Sequence, residues 1–141
     1  MVLLDVTVLA GAMREDAPRH AALKSYVEGL RRGAEPFGIS DYALSGTLRV
    51  LTHPRVFSPP TPQDAAVAFV TALRETPNAV IVNPGARHWE IFQDLLGSAY
   101  AVGNLVEDAW HAALAIEHGC ELVSDDADFA RFPGLRWRRP G

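Results

Sequence analysis

Four aspartates in three separate segments hold the chemical potential of this sequence. Asp5 closes the apolar run Val2-Leu3-Leu4, and a helical pattern follows at once from Val6 to Met13. Asp126 and Asp128 follow a second such run, Glu121-Leu122-Val123-Ser124, near the other end of the chain. Asp108 falls in the first turns of a helical pattern that opens at Asn104, where the positive end of the helix dipole favours a carboxylate. A buried strand ending in an acid is how open α/β sheets present charge, because ligands sit in the crevice beyond the strand ends. In a parallel sheet, strand carboxyl ends and helix N-termini share one edge, so these acids can converge.

Converging carboxylates repel one another, and some then take up protons at neutral pH. A divalent cation removes that conflict. An all-oxygen donor set favours a hard ion, Mg²⁺ or Mn²⁺, over zinc. Such an ion activates water and stabilises charge on a phosphate in transfer, so metal-assisted phosphodiester hydrolysis is the reaction class that follows. Each acid also has an ordinary role beside this one. Asp5 can cap the helix after it, Asp108 can complement a helix dipole, and Asp126 and Asp128 can shape a turn. Asp125 reads as a solvated turn residue. His111, three residues after Asp108 on roughly the same helix face, could contact substrate or act as an acid, but reads first as a group beside the site or on the surface. His20, His53, His88 and His118 lack metal-ligand spacing, and Trp89, Trp110 and Trp137 read as packing residues.

The elements that must position these groups alternate in type. Strand patterns lie at Val2–Asp5, Pro36–Ser40, Ala79–Asn83 and Glu121–Ser124, with a weaker one at Leu135–Trp137. Helical patterns lie between them. Ala17–Arg32 carries Pro18 in its first turn, and Asp41–Thr52 follows a Ser-Asp cap and stops before Pro54. Pro62–Arg74 opens after Thr61, and Gly97 ends Arg87–Leu96. Asn104–His118 runs from an Asn cap to Gly119. This alternation predicts right-handed crossovers and a three-layer α/β/α domain around a mainly parallel sheet of four to five strands. The Pro-rich stretch Ser58-Pro59-Pro60-Thr61-Pro62 reads as a stiff loop between helices.

Bulk properties exclude several classes. With 141 residues, 48% apolar and 21% charged, the chain is expected to form one globular domain, 1–141, and not a disordered segment. No apolar run approaches the roughly 20 residues a membrane helix needs. A basic leader is absent, and the single cysteine, Cys120, suits a reducing cytoplasm. The net charge of −4 disfavours a polyanionic partner on average. However, Arg131, Arg136, Arg138 and Arg139 cluster at the end, and Arg49, His53 and Arg55 form a second basic group. An acidic centre with basic margins suits a metal enzyme acting on a polyanion.

Three acidic segments, in order, resemble the signatures of PIN-domain ribonucleases: Val-Leu-Leu-Asp-Val-Thr-Val-Leu (2–9), Gly-Asn-Leu-Val-Glu-Asp-Ala (103–109) and Leu-Val-Ser-Asp-Asp-Ala-Asp-Phe (122–129). The segments 48–57, 87–89 and 129–137 extend the resemblance to the VapC toxins of bacterial toxin–antitoxin pairs, over essentially the whole chain. It implies a Mg²⁺-dependent endoribonuclease that cuts cellular RNA, is restrained by a VapB antitoxin and forms a homodimer. By the same resemblance Asp5 and Asp108 are the principal metal ligands, Asp126 and Asp128 complete the acidic pocket, and Asn104 orients the site or its water. Two departures stand out. Gly46 occupies a position where many PIN domains carry Glu, with Asp41 the nearest substitute acid in sequence. Thr7 stands where Asn is common, its hydroxyl still able to cap the following helix or bind a water beside the site. Two rivals remain: a non-cutting PIN-like module that binds RNA or antitoxin, and a HAD-like phosphatase. The phosphatase would need an acid at Thr7 and a suitably placed lysine, and Lys24 is the only lysine.

Overall fold

Five short strands with alternating inward residues make one sheet. The computed structural model describes all residues, Met1–Gly141. Its strands are β1 (Val2–Leu4), β2 (Phe37–Ile39), β3 (Ala79–Ile81), β4 (Glu121–Val123) and β5 (Trp137–Arg138), in spatial order β3-β2-β1-β4-β5. Each pairing is parallel, and Leu3 sits opposite both Gly38 and Leu122. Parallel neighbours require crossovers, supplied by α1 (Val6–Met13), α2 (His20–Arg32), α3 (Asp41–Leu51), α4 (Gln63–Arg74), α5 (His88–Ser98) and α6 (Asn104–Glu117).

The side-chain period of two sorts the strand residues between two cores. Leu3 and Leu122 join Phe92, Leu95 and the buried alanines of α6 on one face, together with Phe129 and Phe132. Leu4, Val123, Phe37 and Ile39 join Val8, Leu9, Leu23, Val27, Leu44, Val70 and Leu73 on the other. Ala109, Ala112, Ala113 and Ala115 are all fully buried; side chains this small let α6 lie close against the sheet and α5. The three-layer α/β/α arrangement is the one expected from the alternation of patterns.

Chain order fixes where a ligand site can form. From β1 the chain moves outward through β2 to β3, then returns across the sheet through α5 and α6 to β4 on the far side of β1. The strand order therefore reverses between β1 and β4, and in open α/β sheets the crevice beyond such a switch point is where ligands bind. Asp5 and Ser124 are the first residues past those two strands.

Several element boundaries differ from expectation. Helix α2 starts at His20, not Ala17: Arg19 takes a left-handed backbone (φ 60°), leaving Pro18 outside the helix. Gly103, with positive φ, is the residue flanking α6, and Asn104 is its first helical residue without a side-chain cap. Pro62, not Thr61, flanks α4. The cap at Ser40 holds, its Oγ accepting from the Ala43 N–H at 3.0 Å. The strands are one or two residues shorter than their patterns. Their ladders run on past these ends all the same, as the bonds Asp5 N–H to Val123 O at 3.1 Å and Val82 N–H to Ile39 O at 2.9 Å show. Strand β5 is displaced from Leu135–Trp137 to Trp137–Arg138.

A candidate metal centre at the carboxyl edge of the sheet

Asp5 is buried and held by hydroxyls. Its Oδ2 accepts from Ser124 Oγ at 2.8 Å, from Thr7 Oγ1 at 3.0 Å and from the Thr7 N–H at 3.4 Å. The last of these is the helix-cap bond, so Asp5 does cap α1. All three bonds fall on one oxygen, leaving Oδ1 free of partners within the chain. No buried side-chain oxygen in the structure lacks a partner, so Oδ1 reaches the surface of the cleft.

The loop after β4 is built on the same hydroxyls. The Asp126 N–H donates to Ser124 Oγ at 3.0 Å, and the Asp125 N–H donates to Thr7 Oγ1 at 3.1 Å. Asp126 Oδ1 then accepts from the Asp128 N–H at 2.9 Å, capping the 3₁₀ turn Ala127–Arg131. Phe129, one residue on, is buried and anchors that turn in the core. Ser124 is fully buried and links Asp5 to the acidic loop. Its importance was not evident from sequence, where a serine at a strand end is unremarkable; its place two residues before Asp126 was the available signal.

Asp108, half-buried near the start of α6, completes the cluster. Oxygens of Asp108, Asp126 and Asp128 lie within 4.8 Å of one another. Burial, and then the charges of Asp126, Asp5, Asp128 and Glu107, push the Asp108 carboxyl up to about 7. Asp5 therefore lies within electrostatic reach of the trio without being one of its three members. The donors are all carboxylate oxygen, the set that suits a hard divalent cation, and the repulsion that raises Asp108 is what such a cation would relieve.

The remaining sequence candidates are placed differently. Asp41 does not join the acids. It is exposed and paired with Arg74 at 2.8 and 3.2 Å, and that guanidinium holds its carboxyl below the usual range. Asn104 is exposed at the first turn of α6. Asp125 is not a simple solvated turn residue, since it is half-buried and pairs with Arg19, whose Nη2 also donates to Pro140 O at 2.6 Å. His20, His88 and His118 contact backbone carbonyls at 2.8, 3.0 and 2.7 Å, in keeping with structural roles. Trp110 stacks on Tyr42 (centroids 4.5 Å apart), Trp137 Nε1 donates to Ser124 O at 3.1 Å, and Trp89 is exposed.

Beside the acids lies a cavity of about 210 Å³ bounded by Val6, Tyr42, Gly46, Arg49, Glu107 and His111. A Cβ on Gly46 would stand 2.9 Å from Val6 Cγ2, so a Glu there would force Val6 or the helix to shift. Glu107, adjacent to Asp108, borders the cavity instead and accepts from the Tyr42 hydroxyl at 3.3 Å. Nothing in its spacing singled it out in the sequence.

A family model described as PIN domain matches residues 2–135. The VapC ribonuclease Mb2897 of Mycobacterium bovis is 45% identical over 141 residues, covering 99% of this chain and 95% of that protein. Ribonuclease VapC25 of Mycobacterium tuberculosis is 39% identical over 140 residues, covering 99% of each. Among solved structures, VapBC2 from Rickettsia felis, bound to a DNA fragment from its promoter, superposes with a TM-score of 0.74 at 16% identity over the full length of both chains. The Sarcin-Ricin loop cleaving toxin VapC20 of M. tuberculosis gives 0.69 at 18% identity, covering 96% of this chain and 99% of that one. The structural likenesses speak for the fold.

Proposed function

The chain belongs to the PIN-domain family, among the VapC ribonucleases, and from that premise we propose that it is a divalent-metal-dependent endoribonuclease toxin acting as one unit over residues 1–141. The observation that carries the chemistry is the trio Asp108, Asp126 and Asp128, gathered within 4.8 Å, with Asp108 raised to about 7 by burial and by its neighbours. These three would hold the ion, with Asp5 beside them; Mg²⁺ fits the hard oxygen donors best, and Mn²⁺ fits them also. When bound, the ion supplies an activated water and compensates charge on the phosphate.

The chain's own residues do the positioning. Thr7 and Ser124 fix one oxygen of Asp5 and leave the other facing the cleft. Asp126 holds the 3₁₀ turn with one oxygen, through the Asp128 N–H, so its own carboxylate is fixed to the loop that carries Asp128. Asp108, raised to about 7, would have to lose its proton to serve as a ligand, which would couple ion binding to pH. Asn104 is assigned to the approach of water, and Thr7 to the orientation of Asp5. Asp41 is left to its pairing with Arg74.

Partners follow from the family. A VapB-type antitoxin is the partner proposed here, in line with structural neighbours described as VapBC2 and VapBC-1, with a homodimer as the assembly. No helix is long and apolar enough to cross a membrane, and a cytoplasmic site of action is proposed. The test is incubation of purified protein with total RNA in Mg²⁺ or EDTA, beside Asp5→Asn and Asp108→Asn. Discrete fragments that require both the ion and the two acids are the expected result. Cleavage that persists in the folded Asp108→Asn protein would sink the metal-site assignment.

A further inference from the structure

The cavity beside the acidic centre has the makings of a nucleotide subsite. It lies close to that centre: Val6 follows Asp5, the charge of Asp5 reaches His111, and Glu107 acts on its neighbour Asp108. Tyr42 presents a flat wall. One face of its ring is stacked on Trp110, 4.5 Å between centroids and 28° between planes, while the side chain remains 43% exposed. His111 stands edge-on to the same ring at 5.2 Å and is only 6% exposed. It makes no hydrogen bond within the chain. Because no buried side-chain nitrogen in the structure lacks a partner, the His111 ring nitrogens keep access to solvent, and the cavity it lines is where that access lies. A polar group more than nine-tenths buried, unpartnered and open to a cavity marks a place built for a ligand.

The charges at the rim define the ligand further. Glu107 is exposed, and one of its oxygens accepts from Tyr42, which fixes the carboxylate at the border of the aromatic wall. That bond takes one of the carboxylate's roughly four acceptor sites, so both oxygens can still accept, and an ionised carboxylate only accepts. Arg49 lies near the Tyr42 hydroxyl, exposed and free of any ion pair. A flat wall, an acceptor at its edge and a free guanidinium match a nucleotide: base on tyrosine, donor edge on carboxylate, phosphate on arginine. Gly46 keeps the space open.

We propose that this cavity receives one unpaired base of the RNA next to the scissile phosphate, stacked on Tyr42 and read by Glu107, and that guanine is the base preferred. Guanine is favoured because its Watson–Crick edge sets two donors side by side, N1–H and the 2-amino group, whereas cytosine and adenine offer a single amino group and uracil one imide. A base can enter only when it is splayed out, so the target is a loop or a single strand. This inference rests on the ribonuclease reading.

The experiment is cleavage of an RNA hairpin pool with a randomised loop, sequencing the new ends, with wild type, Glu107→Gln, Tyr42→Ala and Gly46→Val compared. Wild type is expected to enrich guanosine at one position beside the cut. Glu107→Gln should reduce that enrichment about tenfold, the scale of one good bidentate base contact, and redistribute cleavage to other sequences. Inosine in place of that guanosine lacks the 2-amino donor and should weaken wild type but not Glu107→Gln. Tyr42→Ala and Gly46→Val should lower cleavage of guanosine loops by removing the wall or filling the space. Unchanged guanosine preference in folded Glu107→Gln overturns the proposal. Uniform loss at every sequence also overturns it, by placing Glu107 with the metal acids. Wild type that cuts no RNA with any divalent ion defeats the ribonuclease reading itself, an outcome distinct from cleavage without base preference.

Discussion

Asp108 makes the stability of the ion-free protein depend on pH in an unusual direction. Its folded carboxyl is raised to about 7, above the unfolded value near 4. Between those values the folded state binds a proton that the unfolded state has lost, so stability from this group falls as pH rises and levels off above the folded value. Thermal melts in EDTA should therefore show a lower Tm at pH 8 than at pH 5.5, beyond what Asp108→Asn shows over the same range. An equal slope in the variant would remove Asp108 as the cause. Ser124 yields a second test. Ser124→Ala strips one bond from the Asp5 carboxylate and one from the Asp126 amide, and should cost about 1–3 kcal/mol in urea unfolding, along with most of the cleavage rate. The acids were legible in sequence because each ends a strand or opens a helix. The hydroxyl of Ser124 was not, since hydrogen bonding across the chain from Ser124 to Asp5 leaves no spacing signature. Asp41 shows the converse: a carboxylate near the right place in sequence was captured by Arg74, 33 residues away.

Helix ends decide what the elements can present. Gly119 takes φ +65° after α6, and the Cys120 N–H returns to Ala115 O at 2.9 Å, the closure a left-handed C-terminal residue permits. Gly119→Ala should cost about 1 kcal/mol, read as a lower urea midpoint at constant slope. This stop was visible in the sequence because glycine is the residue that makes it. The start of α2 was not. Pro18 suits a first turn, but Arg19 turns left-handed, with its guanidinium on Asp125 and the Pro140 carbonyl, a contact local propensity does not contain. Helix α3 supplies another expectation. Gly46→Glu should fail to raise activity, and should destabilise by about 1–3 kcal/mol, because its Cβ meets Val6 at 2.9 Å. A gain in turnover would show that the helix shifts to accept the acid.

At the scale of the molecule, alternating strands and helices dictated the layers, while the strand order that creates the β1–β4 crevice came only from tertiary pairing. That crevice collects four carboxylates from three segments, so a bound ion bridges parts of the chain that are far apart in sequence. Mg²⁺ at a hundred times its dissociation constant should add about 2.7 kcal/mol to stability, seen as a thermal shift that Asp108→Asn loses and that NaCl of equal ionic strength does not reproduce. The last strand has a use in that measurement. Trp137, on β5, donates its indole N–H to the carbonyl of Ser124 at 3.1 Å, two residues along the chain from Asp126. The protein thus carries its own fluorophore wired to the loop that grips the ion. With Trp89 and Trp110 replaced by phenylalanine, a shift in emission wavelength on adding cation would report occupancy in real time, without label or substrate.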